Sequence, residues 1–353
     1  MSRARKRQSI KRGIALNRKK LIALSIGAVA ACATMAIPAS AMAATITGAG
    51  STLVAPIEAE WANAWGAKTG NSVTYSAVGS GTGIKDISSR LVDFGASDAP
   101  MTPTQAIACH SCWQIPWALS ATGVGFNLHG VRRLRLSGPV LAGIYLGQIT
   151  NWNDSRIARL NKGVRLPNLK ITPVFRSDGS GDTYAFTNYL SAVSSTWSHR
   201  VGFATTVSFP TGVGGTGNSG VTAVLESTNG SIAYIAVSYL IAHSLPAAAI
   251  QNRAGKFEYP NLANIENAAK TVKHVPGNNE LHIVNPPRSA KIAYPISTFT
   301  YAIVPGSAPQ GALLKQFITY AIGPGQSFGP ALDFAPIPRV VLNAAKRTIA
   351  KIG

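Results

Sequence analysis

Apolar residues recur at Val54, Ile57, Trp61 and Trp65, three to four apart, and Gly70 closes the run. That spacing predicts an amphipathic helix with a glycine stop. Short apolar runs flank it. Thr45 to Thr47 enters Gly48-Ala49-Gly50, and Val73 to Val78 enters Gly79-Ser80-Gly81-Thr82-Gly83. Both read as strands feeding glycine turns. A helix over Ile84 to Leu91 and a strand over Phe94 to Asp98 continue the rhythm. It resumes with helices over Val140 to Leu146, opened by Pro139, and over Arg156 to Leu160. A strand over Leu169 to Phe175 then meets the turn Asp178-Gly179-Ser180-Gly181 and a helix. Gly212 to Gly220 is glycine-rich and precedes another helix, and Ile232 to Ile235 reads as a strand. Gln251 to Asn285 is more polar and predicts surface-rich structure. Phe299 to Val304 is a strand, and Leu313 to Ile322 and Val340 to Ile352 are helices. The repeated order of strand, glycine turn and helix predicts βαβ units, an α/β fold and a mostly parallel sheet.

The chain has 353 residues, 46% of them apolar, which is too apolar for disorder and long enough for two cored domains. Its formal charge is +20, from 33 Lys and Arg against 13 Asp and Glu. Nine of the cations lie in residues 1–20. Without residues 1–43, 24 cations face 13 acids, a net of +11. The compact charge therefore belongs to the N-terminus, and no aromatic interleaving or known module points to nucleic acid. A net +11 would steer anions or hold the protein near an anionic envelope.

Residues 1–43 read as an export signal. The basic stretch to Lys20 is followed by an apolar run, Leu21 to Ile37, and by Ala41-Met42-Ala43, a small-x-small cleavage pattern. Val29-Ala30-Ala31-Cys32 resembles a lipobox, an alternative route in which Cys32 is lipidated. Past residue 43 no apolar run reaches spanning length, so the mature chain is expected outside the cytoplasm, soluble or anchored at one end. Cys109-His110-Ser111-Cys112 could be a redox motif, half a zinc site or a local disulfide. Export and the lack of a second pair favour the disulfide.

Gly212-Val213-Gly214-Gly215-Thr216-Gly217 has the form G-x-G-x-x-G. A dinucleotide site needs a strand before it and an acid on the next strand. Phe209-Pro210 is a poor strand end and Glu226 falls in a predicted helix, so that reading is rejected. No nucleophile–base pair announces a hydrolase. Ser51-Thr52, Ser80 and Ser180-Gly181 share another property: each follows a glycine and precedes a helix. Unpaired N–H groups and a partial positive charge make such a turn an anion site, and hydroxyls add donors. Ordinary N-capping explains one such turn. Three, with Arg176 just before the third, point to an oxyanion site, since Arg offers a bidentate fork.

These segments resemble the extracytoplasmic phosphate-binding proteins of bacterial phosphate ABC transporters, members of the periplasmic-binding-protein superfamily. The matching stretches are 48–70, 78–87, 92–100 (VDFGASDAP), 145–154, 175–190 (FRSDGSGDTYAFTNYL), 211–220, 230–235 and 294–298. They occur in family order across nearly the whole mature chain. The resemblance implies a two-lobed, type II fold with mixed sheets flanked by helices. Lobe 1 would hold 44–117 plus 292–353 and lobe 2 would hold 118–291, joined by two hinge crossings. It further implies a monomer without cofactor that binds inorganic phosphate and delivers it to a membrane permease, not an enzyme and not a nucleic-acid binder. A secreted phosphatase or other hydrolase on the same scaffold is the alternative.

Residue by residue, the resemblance implies phosphate contacts from the Thr52 hydroxyl, the Leu53 backbone N–H, Ser80, Ser180 and Gly181. Leu53 stands where the family commonly has Phe. Asp98 matches the aspartate that accepts a phosphate proton, Arg176 the family arginine, and Asp178 the acid that pairs with it. Asp182 departs, because the best-known members carry Thr there. A carboxylate beside an anion is repulsive unless it turns away to cap the helix, and Thr183 is the candidate substitute donor.

Overall fold

The computed structural model describes residues 43–353. The expected presequence, with its second processing site at Cys32, falls almost wholly outside the described residues. The chain begins with β1 (Thr45–Gly50), α1 (Ala55–Thr69), β2 (Ser72–Ser76), α2 (Ser80–Ser88), β3 (Phe94–Ser97) and α3 (Pro103–Ala108). Gly70 ends α1 in the left-handed conformation, φ 75°, as its stop position predicts. Next come β4 (Cys112–Asn127), β5 (Arg135–Leu136), α4 (Gly138–Tyr145), α5 (Ser155–Leu160), β6 (Thr172–Arg176), α6 (Gly181–Val193) and α7 (Ser195–Arg200). Then follow β7 (Val213–Gly215), α8 (Gly217–Ser227), β8 (Ser231–Ala236), α9 (Val237–Ala242), β9 (Ala249–Gln251), β10 (Phe257–Glu258) and α10 (Leu262–Ala269). β11 (Ser297–Pro305), α11 (Gly311–Ile322), a 3-10 segment (Pro324–Leu332) and α12 (Arg339–Ile349) finish it.

One sheet of eight strands runs β2-β1-β3-β11-β4-β8-β6-β7, and β10-β9-β5 form a small second sheet. The outer strands are parallel, as the βαβ rhythm predicts: β2-β1-β3 on one side and β8-β6-β7 on the other. The centre is antiparallel, because β11 pairs with both β3 and β4, and β4 with β8. The sheet is therefore mixed rather than mostly parallel.

The sixteen-residue β4 is the longest element that the sequence pattern missed. Its first part, to Ala121, pairs with β11, and Thr122–Asn127 pair with β8, so one strand serves both halves. Pro116, Gly123 and Gly125 disguise it. Pro116 has no N–H to give, and the ladder shifts register opposite it, between Thr300 and Tyr301. Gly123 and Gly125 leave room for Leu240 of α9: a Cβ on either would lie 2.6–2.7 Å from its methyl groups. Those glycines are packing positions, not turns.

Aromatic clusters fill both halves. Trp61 of α1 meets Trp117 of β4 with ring centroids 5.2 Å apart, and Phe94 meets Trp117 at 5.7 Å. On the other side Phe186 stacks on Tyr234 at 4.4 Å and meets Tyr145 at 4.8 Å. Cys109 and Cys112 are joined by a disulfide between α3 and β4. The fold brings the C-terminal ends of β1, β3, β6 and β7 toward one region, the usual place for a ligand in such sheets.

Candidate functional site

The chain leaves β1 at Gly50 and turns through Ser51-Thr52-Leu53 into α1. Ser51 is fully buried. Its Oγ accepts the N–H groups of Leu53 (3.0 Å) and Val54 (3.2 Å), donors that a helix start leaves unpaired. Its proton points at Asp98, whose Oδ1 and Oδ2 lie 2.6 and 2.7 Å away. Gly79, at φ 93°, then swings the chain from β2 into α2 at Ser80. Ser80 Oγ accepts from the backbone N–H groups of Asp98 (3.2 Å) and Gly181 (3.1 Å).

β6 ends at Arg176. Its backbone N–H donates to Tyr234 Oη at 2.8 Å, and that oxygen also shares a hydrogen bond of 2.7 Å with Thr183 Oγ1. The guanidinium forms a fork on Asp178 through Nε and Nη2, while Nη1 donates to Asp182 Oδ2 at 3.2 Å. Ser180 caps α6, its Oγ accepting from the N–H groups of Asp182 (3.1 Å) and Thr183 (3.3 Å). Asp182 does not cap the helix. It turns inward, fully buried, and Oδ1 accepts from Thr122 Oγ1 at 2.7 Å.

A fourth glycine turn closes the arrangement. Gly217 N–H donates to Asp178 Oδ1 at 2.9 Å. Asn218 Nδ2 donates to Thr52 Oγ1 and to Asp182 Oδ2, both at 2.8 Å. The Gly212–Gly217 run that fails as a dinucleotide motif thus contributes a polar clamp. Asn218, Thr122, Tyr234 and the Ser51 contact to Asp98 lie beyond what the sequence pattern assigned. Ser51 and Asn218 had a signal in their places after Gly50 and Gly217; Thr122 and Tyr234 are polar residues inside largely apolar strands with no local cue.

All the sequence-derived positions are brought together: Thr52, Ser80, Asp98, Arg176, Asp178, Ser180, Gly181, Asp182 and Thr183 share one hydrogen-bonded network. Leu53 joins it only through its backbone N–H, which Ser51 accepts. Gly81 N–H also donates to Gly179 O at 2.9 Å, so the α2 and α6 turns touch backbone to backbone. Burial pushes the Asp98 carboxyl up to about 7, and repulsion from Asp182 adds to it, against hydrogen bonds from Ser51. Burial likewise raises Asp182, with Arg176 opposing. Burial would raise Asp178 too, but the Arg176 fork holds it below the usual carboxylate range. The site holds one buried cation and three carboxylates, ringed by hydroxyl and N–H donors.

Residues 36–324 match the PBP superfamily domain. The chain is 37% identical over 306 residues to the phosphate-binding protein PstS of Pasteurella multocida, covering 85% of this chain and 88% of that one. It belongs to the PstS phosphate-binding protein family. The Haemophilus influenzae member is 36% identical over 312 residues, covering 87% of this chain and 92% of its own. The fold matches those of solved phosphate-binding proteins. A high-affinity periplasmic phosphate-binding protein with phosphate bound superposes with a TM-score of 0.69 at 21% identity, covering 86% of this chain and 93% of that one. The phosphate-binding protein of Stenotrophomonas maltophilia gives 0.66 at 20% identity, with the same coverage.

Proposed function

We propose that this protein binds inorganic phosphate outside the membrane and delivers it to the permease of an ABC transporter, without catalysing a reaction. Thr52, Leu53, Ser80, Asp98, Arg176, Ser180, Gly181 and Asp182 line the anion site, with Asp178 and Thr183 supporting them. The observation that carries this reading is the convergence of four helix-start turns on one buried Arg176. Backbone and hydroxyl donors at helix starts suit a phosphate oxygen, and an arginine already paired with Asp178 and Asp182 allows release. The protein acts as a monomer with two lobes, 44–117 plus 292–353 and 118–291, moving about the central strands. Family membership supports export, free or lipid-anchored; no described helix is long and apolar enough to cross a membrane.

Calorimetric titration with phosphate, run beside a phosphomonoester turnover assay, tests the reading. Saturable phosphate binding with no turnover is expected. Turnover would return the hydrolase alternative, and absence of binding would sink the receptor. Small-angle scattering should report a more compact particle with phosphate, and an unchanged profile would remove lobe closure.

A further inference from the structure

A cavity of about 900 Å³ lies apart from the phosphate network and shares no residue with it. Five cations line it: Arg132, Arg133, Arg135, Arg159 and Lys162. No acidic residue does. Among the described residues none of these five head groups has a hydrogen-bond or ion-pair partner. The neighbouring carboxylate that caps α5, Asp154, is already held by Arg156 at 2.7 Å.

The walls are built rather than loose. Asn161, 5% exposed, accepts the Arg135 N–H at Oδ1 (2.8 Å) and donates from Nδ2 to Arg135 O and Ile157 O, both at 2.9 Å. That amide locks the end of α5 to β5. The small sheet β10-β9-β5 backs the cavity and presents Phe257 and Tyr259. Arg135 lies over the Phe257 ring at 5.7 Å, and Tyr259 is 40% exposed. Five like charges in one concavity repel each other and concentrate anions. Four are guanidinium groups, whose forks match phosphate oxygens in pairs. A flat anionic surface would not reach into a concavity. A flexible chain of linked anions would fill it.

We propose that this cavity binds an oligophosphate, a chain of three or more linked phosphates, beside and independent of the orthophosphate site. The chain comes either as inorganic polyphosphate or as the tail of a nucleotide, whose ring would rest on Tyr259.

The test titrates tripolyphosphate and, separately, adenosine triphosphate into the full-length protein with orthophosphate saturating the other site. Both should bind, more weakly as salt is raised. The triple variant Arg132→Glu, Arg133→Glu, Arg159→Glu changes only exposed side chains. It should weaken tripolyphosphate by about tenfold or more and leave orthophosphate affinity unchanged. Adenosine triphosphate binding tighter than tripolyphosphate, with the gain lost in Tyr259→Ala, identifies a nucleotide tail; equal binding identifies the inorganic chain. Unaltered tripolyphosphate affinity in the triple variant overturns the proposal. So does tripolyphosphate binding that orthophosphate abolishes, or equal binding of a sulfated oligosaccharide of the same charge.

Discussion

Arg176 donates from Nη1 to Oδ2 of Asp182 at 3.2 Å, and the two side chains are 1% and 0% exposed. A carboxylate of the chain therefore sits on the buried cation of the proposed anion site, and it also engages Thr122 and Asn218. Phosphate bound beside it meets like charge unless a proton is taken up. Burial raises both Asp98 and Asp182, Asp98 to about 7, so the Asp98 proton is held below neutral pH and lost above it.

Phosphate affinity should accordingly fall as pH rises through about 7. Asp182→Thr removes one of the repelling charges. It should raise phosphate affinity by about tenfold at pH 8, the scale of a 1.4 kcal/mol repulsion, and flatten the pH profile. Calorimetry at pH 6 and pH 8 measures both. A weaker variant with an unaltered profile would mean that Asp182 is a direct ligand.

Asp98 should set the preference for phosphate over sulfate. Above pH about 7, where Asp98 is charged, phosphate still carries a proton and can donate it to the carboxylate; sulfate carries none and leaves a charged acceptor unpaired, at about 1–3 kcal/mol. Asp98→Asn keeps the size and can donate from its amide. The phosphate-to-sulfate affinity ratio should shrink by about tenfold or more in the folded variant. A ratio equal to that of the parent protein would remove Asp98 from this role.

Gly181 is the contact on which the α6 turn meets β3. A Cβ there would stand 2.7 Å from the Asp98 Cα and closer still to its Cβ. Gly181→Ala should hold these turns apart while leaving the packed halves intact. An opening that costs even about 1.4 kcal/mol lowers phosphate affinity tenfold. The thermal midpoint without phosphate should change little. Normal affinity in this variant would show that the turns need not meet.

Glu58, on the buried face of α1, has Oε1 without a hydrogen-bond partner, and burial pushes its pKa from 4.5 up to about 8. The folded state thus keeps a proton that the unfolded chain releases. Stability from this group is fully present below about 4.5 and is lost as pH rises toward about 8. Glu58→Gln cannot ionise, so it should raise the melting temperature more at pH 8 than at pH 5. An equal shift at both would contradict a buried, protonated Glu58.

The longer helices and most of the outer strands were legible in the sequence because their cues are local. Apolar spacing in α1, the Gly70 stop and glycine turns before α2 and α6 depend on neighbours a few residues apart. The same cues placed Ser80, Arg176, Ser180 and Gly181 at helix starts or strand ends, and the resemblance added Asp98 and Asp178. What needed the tertiary structure was everything set by distant partners. β4 reads as broken by Pro116, Gly123 and Gly125, yet a register shift absorbs the proline and Leu240 fills the space over the glycines. The inward turn of Asp182 depends on Thr122, 60 residues before it, and on Asn218, 36 residues after it. Local chemistry chose where each helix begins. Long-range packing chose which carboxylate faces the arginine, because a buried charge settles only where other segments bring its partners.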